Sequence, residues 1–464
     1  MSTLARPTAA DLRETVRLAL PVIVVQVGLM LMGVVDTIMV GRVSAAALAA
    51  VAVGNLYFFV VTIFGMGVLL ALDPIVSQAV GAGDAGAVRR AVQRGLVLSA
   101  VMSVVVSLGL LGAGPVLRLA RQPAEILPDA TAYALVSIPG TLPFLAFVVF
   151  RQTLQALRRM RPIVVTIVVA NLVNVALNWV LIFGHLGAPP LGAVGSGWAS
   201  SAARWVATTV LVAAAWPTLG PLLRPFDRDA LARGPLVRML RLGLPVGFQQ
   251  QLEAAAFGVI GLLMGSFGTV QVAAHQVAIN LASLTFMVPL AVGAAAAVTV
   301  GHAVGAGDMP AARRAAAAAL LCGAGIMCVS AATFLLAPTL LARAYTTDAA
   351  VVALAATLIP IAGVFQVADG LQAVAAGVLR GAADTRAPLV LNLLGFWLVG
   401  MPVSLVLAYR TDAGPRGLWW GLVAGLGAVA LLLLARTRRR LGGTLRRVVI
   451  DDVGATPIAL ETAD

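Results

Sequence analysis

One short passage occurs twice in this chain. Residues 76–90 read VSQAVGAGDAGAVRR and residues 300–314 read VGHAVGAGDMPAARR. Val-Gly-Ala-Gly-Asp is identical in both, and an arginine pair follows at the same distance. Gly81 and Gly305 stand 224 residues apart, as do Arg89 and Arg313. Upstream, Leu20-Pro21-Val22 returns as Leu244-Pro245-Val246 at the same offset. Three anchors on one gapless offset make the chain a tandem duplication, so both halves must share one fold.

Hydropathy says what that fold is. Of 464 residues, 60% are hydrophobic and only 11% charged, where soluble domains carry roughly a quarter charged residues. Mean hydropathy is +0.99. A helix needs about 20 apolar residues to cross a bilayer, and lipid admits only helices and closed barrels. Six such runs fall in the first half (17–40, 47–73, 92–114, 130–153, 162–184, 191–216) and six in the second (239–264, 271–297, 315–338, 351–378, 388–409, 415–435). The fold class expected is an all-α polytopic membrane protein with twelve transmembrane helices in two six-helix lobes. An even number of spans per half makes both halves enter the membrane in the same direction. The pseudo-two-fold axis of the repeat then runs along the membrane normal. The expected organisation is an N-lobe over 1–216, a cytoplasmic linker over 217–238, a C-lobe over 239–440 and a cytoplasmic tail over 441–464 that is disordered from Gly442 onward. The first apolar run is too long for a signal peptide and reads as a retained span.

The net charge of +13 raises the question of nucleic acid, and its layout excludes it. All 32 basic residues are arginines, and they sit mostly between apolar runs. With the N-terminus inside, 24 arginines fall in cytoplasmic segments, 6 in outer ones, and Arg151 and Arg204 within spans. That asymmetry places both termini in the cytoplasm and the chain in the inner membrane. Cys322 and Cys328 share one apolar run, so neither a structural disulfide nor a metal site is expected. No cofactor is implied. Nor is enzymatic activity: the Gly-Ala-Gly-Asp strings resemble those of intramembrane aspartyl proteases, but each Asp is followed within six residues by an arginine pair and belongs at the surface. There glycine turns a helix end and Asp caps the next helix. A Gly-Asp-Arg loop as in the major facilitator superfamily is matched only in part.

Ionisable groups within spans are functional candidates by default. Four acids qualify: Asp36, Asp73, Glu253 and Asp369. At 1.5 Å per residue, Glu253 lies roughly 18 Å beyond Arg241 and Asp369 roughly 16 Å before Arg380, so two carboxylates on different helices share a depth. Gln250, Gln366, His275, Gln276 and Asn280 supply polar surroundings nearby in sequence. Asp36 lies near the outer end of its span, level with Asn178, and Asn174 shares the Asn178 helix face. A carboxylate with amide carbonyls forms a hard-oxygen cage that suits a proton or Na⁺. Asp73, ahead of Pro74, has Ala297 at its repeat position and reads as the polar edge of a kink.

Together these residues resemble the multidrug and toxic compound extrusion family, from about residue 14 to 440. Asp36-Thr37-Ile38-Met39-Val40-Gly41, the two Val-Gly-Ala-Gly loops, and LRGAADTRAP at 379–388 followed by Asn392, Phe396-Trp397 and Pro402 carry the resemblance. Glu253 with Asp369 is similar to the NorM-like branch. The resemblance implies a V-shaped pair of lobes that exports cationic amphipathic drugs in exchange for Na⁺ or H⁺. It makes Glu253 and Asp369 the C-lobe cation site, and Asp36 with Asn174 and Asn178 the N-lobe polar site. Another branch has an acid where Asn178 stands, so that second carboxylate is missing here. A monomer in the lipid bilayer, with small-molecule substrates and no nucleic acid, is expected. The alternative is a flippase of lipid-linked sugars, which should line its cavity with several arginines for pyrophosphate.

Overall fold

The computed structural model describes residues 5–451, and every regular element among them is a helix. Twelve long elements follow in order. The first half holds α1 (Ala9–Val40), α2 (Ala45–Gly81), α3 (Ala85–Leu111), α4 (Leu127–Ala156), α5 (Arg161–Phe183) and α6 (Gly192–Ala214). The second holds α7 (Arg233–Gly265), α8 (Thr269–Gly305), α9 (Met309–Leu336), α10 (Ala349–Gly381), α11 (Arg386–Arg410) and α12 (Pro415–Gly442). By length and composition ten of these can cross a membrane unaided; α6 joins them only with Trp216–Leu223, which bends away from it by 92°. The remaining one, α7, has 33 residues, but Gln249–Gln251, Glu253 and its arginines dilute its hydropathy. Polar residues in its middle thus keep this long helix below the hydropathy of the others.

Helix ends follow from local chemistry. Thr8 and Asp11 form a reciprocal capping box at the start of α1, and Ser44 caps α2 through Ala47. The repeated loops behave alike: Gly83 and Gly307 hold positive φ of 71° and 74°. Asp84 and Asp308 then accept the Ala87 and Ala311 amides at 2.8 and 2.9 Å. Glycine is favoured because the left-handed region costs other residues a Cβ clash.

Buried apolar residues of α8, α10 and α12 form most of the C-lobe core around Trp419 and Phe365. Smaller clusters fill the N-lobe, with Leu145 and Leu154 of α4 among the fully buried residues. The lobes meet along a seam between α2 and α8. A Cβ on Gly81 would overlap the His302 carbonyl, and one on Gly305 would overlap that of Gln78. Gly81 repeats as Gly305 and Gln78 as His302, so the two contacts are copies of each other and the duplicated motif packs against its own copy.

Ion pairs identify which segments share an end of the molecule. Arg158 binds Glu14 at 2.7 Å, Arg314 binds Asp11 at 3.6 Å and Arg89 binds Asp227 at 3.6 Å. Arg436 binds Asp384 and Arg447 binds Asp84, both at 2.8 Å. The arginine-rich segments therefore gather at one end.

Two expectations need correction. Residues 446–451 of the tail are ordered against the N-lobe rather than disordered. Val448 donates its amide to Gln78 Oε1 and Arg238 donates to the Ile450 carbonyl, each at 2.8 Å. Asp451 pairs with Arg90 at 2.8 Å and with the buried Arg94. A short run with apolar Ile450 and acidic Asp451 suits a groove that is apolar below and basic at its rim. Residues 452–464, where the rest of that expectation falls, lie outside the described residues. Second, Asp73 is more than a kink edge: it forms an ion pair with Arg380 of the other lobe at 2.8 Å. Sequence distance concealed a partner 307 residues away.

Candidate cation sites

In the N-lobe, Asp36 ends up buried at 4% exposure, four residues before the end of α1. Its Oδ1 accepts from Asn174 Nδ2 at 3.1 Å and from Asn178 Nδ2 at 2.5 Å. Its Oδ2 accepts from Ser200 Oγ at 2.6 Å. Asn174 and Asn178 are four apart on α5, so one helix face presents both amides, and they also bond each other at 3.2 Å. The Asn178 Oδ1 has no partner. Asn171, one turn earlier, instead donates to the Gly28 carbonyl at 3.0 Å and fastens α5 to α1. Ser200 of α6 is the residue that sequence reasoning missed. It lies eight residues from the Gly192 end of its helix, or roughly 12 Å in, close to the Asn178 level, but a serine among small residues gave no separate signal.

Arg204, one turn beyond Ser200, does not bond Asp36. Its guanidinium carbon lies 3.9 Å from the Phe58 ring centroid and 5.8 Å from that of Phe144, a cation–π arrangement that shelters a charge within a span. Arg151 donates to Gln26 Oε1 at 3.1 Å.

In the C-lobe, α7, α10 and α11 converge on Glu253. Gln372 Nε2 donates to Glu253 Oε1 at 2.7 Å, and Asn392 Nδ2 donates to Oε2 at 3.2 Å. Asp369 is buried one turn before Gln372 on the same face of α10, and so adjoins the same network. No arginine or histidine bonds either acid among the described residues. Instead, Asp369 Oδ1, Gln372 Oε1, Asn392 Oδ1 and Gln251 Oε1 are buried acceptors without donors. Buried polar atoms are nearly always partnered. Three of these, on Asp369, Gln372 and Asn392, belong to one network with Glu253 and fit a proton or a small hard cation. No cluster of three or more His, Cys, Asp or Glu suited to a metal exists among the described residues.

The other residues expected here are dispersed. Gln366 turns away, accepting from Ser330 at 2.5 Å and donating to Thr285 at 2.8 Å inside the lobe. It lies one turn before Asp369, but its amide is taken up by Ser330 and Thr285 rather than by the acids. His275 is buried against the Trp419 ring, centroids 5.4 Å apart, with Nδ1 unpartnered. Gln276 and Asn280 bond each other at 3.0 Å on an exposed face of α8. Gln250 is half-buried and makes no side-chain hydrogen bond among the described residues. Cys322 and Cys328 are both free thiols.

Comparison with known proteins agrees with this architecture. The family model described as MatE matches residues 21–180 and 245–406, two stretches whose starts are again 224 residues apart. The probable multidrug resistance protein NorM of Rhizobium meliloti is 39% identical over 453 residues, covering 94% of each chain. The multidrug resistance protein PmpM of Pseudomonas aeruginosa is 36% identical, covering 97% of this chain and 96% of that one. Among solved structures, the eukaryotic MATE transporter AtDTX14 superposes with a TM-score of 0.86 at 23% identity, over 93% of this chain and 97% of that one. The Vibrio cholerae MATE transporter VcmN gives 0.84 at 18% identity, over 93% and 97%. Two matched halves, relatives aligned along nearly the whole length and the two-lobe helical fold lead to one assignment: the chain belongs to the MatE family of multidrug and toxic compound extrusion proteins.

Proposed function

We propose that this protein exports cationic amphipathic drugs and other toxic compounds across the inner membrane in exchange for Na⁺ or H⁺, by alternating access between its lobes. Its relatives' names support drug extrusion. The observation that carries the coupling is the set of orphaned oxygens beside Glu253 and Asp369. Two carboxylates in a low-dielectric site cannot both carry charge cheaply, so the pair either holds a proton or recruits a cation. A cationic drug relieves the same repulsion, so drug and ion compete for one electrostatic deficit. Each charge moved inward down the membrane potential supplies about 2.3 kcal/mol per 100 mV. The Asp36 cage is the second ion-binding or proton-binding position. The protein acts as a monomer of two lobes, 1–216 and 239–440, joined by the 217–238 linker. The arginine-rich end faces the cytoplasm, with both termini there. A sugar-lipid flippase is disfavoured, since Arg151 and Arg204 are engaged by Gln26 and Phe58 rather than free for pyrophosphate.

In loaded vesicles, Glu253→Gln and Asp369→Asn should each abolish gradient-driven efflux, with the double variant no worse than either. Full activity in either single variant would remove the coupling role, and additive partial losses would indicate two independent sites.

A further inference from the structure

Asp73 and Arg380 belong to neither polar site. Asp73 is 5% exposed in α2, about two turns before Gly81, and Arg380 lies at the end of α10. Their Oδ2–Nε contact of 2.8 Å crosses from one lobe to the other. Around it the lobes meet through groups that the duplication has placed in pairs. Gln78 donates to the Gly381 carbonyl at 2.8 Å, and the His302 ring bonds the Ala156 carbonyl at 2.8 Å. Gln78 and His302 are 224 residues apart, as are Gly81 and Gly305, which bring the backbones together. The seam is thus isologous, one surface facing its own copy about the pseudo-two-fold. The ion pair breaks that symmetry, as does the looser and more exposed Arg314–Asp11 pair at 3.6 Å. The repeat positions of Asp73 and Arg380 are Ala297 and Ala156, so the charge occurs once.

Resting on the transport reading above, we propose that Asp73 and Arg380 form the lock that holds the lobes closed at their arginine-rich end. The lock parts when the inter-lobe space opens to that side. Glycine contacts set the register of the seam, and apolar packing such as Val298 against Leu18 and Val22 fills it without fixing a direction. The ion pair adds a directional contact whose halves can both be hydrated once the end opens. An apolar patch doing the same work would expose hydrocarbon to water in every cycle. A lock made of charges is therefore reversible. It is also placed where the arginine-rich end supplies water, unlike the Glu253 and Asp36 networks.

The test reads opening without requiring transport. On a Cys322→Ala/Cys328→Ala background, Val298→Cys places a thiol in the seam, where Val298 is buried facing Leu18, Val22, Gln155 and Met160 of the N-lobe. In detergent, N-ethylmaleimide should label this parent slowly. Asp73→Asn or Arg380→Gln should raise the rate about tenfold, within the usual range of conformational coupling. The neutral double variant, which leaves no unpaired charge and so avoids that route to misfolding, should label no faster than the quicker single one. A thiol at Val374→Cys, inside the C-lobe core, should stay slow throughout. Parent-rate labelling in the double variant would overturn the lock, and so would equal acceleration at the core thiol, which would mean general loosening. Failure of the unmodified protein to export any drug would count against the transport reading while leaving the labelling result intact.

Discussion

At the scale of single residues, Asp36 takes three hydrogen bonds from neutral donors and none from a cation. Asp36→Asn keeps the shape, but it sets an amide against two other amides and a hydroxyl. Leaving a buried polar group mismatched costs about 1–3 kcal/mol. That is small enough for the protein to fold and large enough to disturb an ion site. Efflux should be lost while membrane abundance holds, and Ser200→Ala should lower the efflux rate several-fold by orphaning Oδ2. Wild-type transport rates in Asp36→Asn, measured at equal expression, would make Asp36 a bystander. Much of this site was legible beforehand, because a carboxylate in a span and asparagines at four-residue spacing are rare in lipid-facing helices. Ser200 was not, since serine is common in helix packing and only geometry shows its hydroxyl turned to an acid. Asp73 was misjudged for a related reason: helical period exposes neighbours on one helix, but nothing in the sequence links residue 73 to residue 380.

Among elements, the segment after α12 departs most from expectation. Residues 441–464 end acidic and read as a free tail, yet 446–451 lie in a groove of the N-lobe. Composition could not reveal this, because a few contacts suffice when the receiving groove is already formed. The acids on both sides of this contact, Asp84 of the loop and Asp451 of the segment, are held ionised. The Ala87 amide and then Arg447 keep Asp84 below the usual carboxylate range. For Asp451, burial acts upward, but hydrogen bonds from Arg90 and Arg94 outweigh it and hold this group low too. A lowered native value means stability that is present above the ordinary carboxylate pKa and lost as pH falls through the native one. Asp451→Asn should therefore lower the melting temperature by about 1–2 °C near neutral pH. That difference should shrink progressively as pH falls below the ordinary carboxylate value of about 4. A gap that persists or widens in acid would contradict the charged contact. The repeated loops, by contrast, form the caps their residues predict, since helix capping depends on positions only a few residues apart.

For the whole molecule, duplication explains the most. Two similar halves of six spans, each needing a partner for its apolar faces, give two lobes whose shared motif becomes their mutual contact. The order of the helices and their apolar character were legible from hydropathy. Hydropathy alone undercounts, because α7 carries Gln249–Gln251 and Glu253 in its middle. How the lobes lean on each other was not legible, since that depends on backbone approach at Gly81 and Gly305. In the proposed exchange this arrangement converts an ion gradient into drug movement, with Glu253 and Asp369 as the proposed coupling pair. The most direct measurement uses purified protein in sealed vesicles loaded with a fluorescent cationic drug, with no nucleotide present. A Na⁺ gradient and a proton gradient are imposed separately, each opposing the direction of drug movement. The account predicts rapid drug export under at least one of the two gradients, abolished by an ionophore that collapses it and absent in Glu253→Gln. Drug export that proceeds equally with no gradient, or that survives the ionophore, would contradict it.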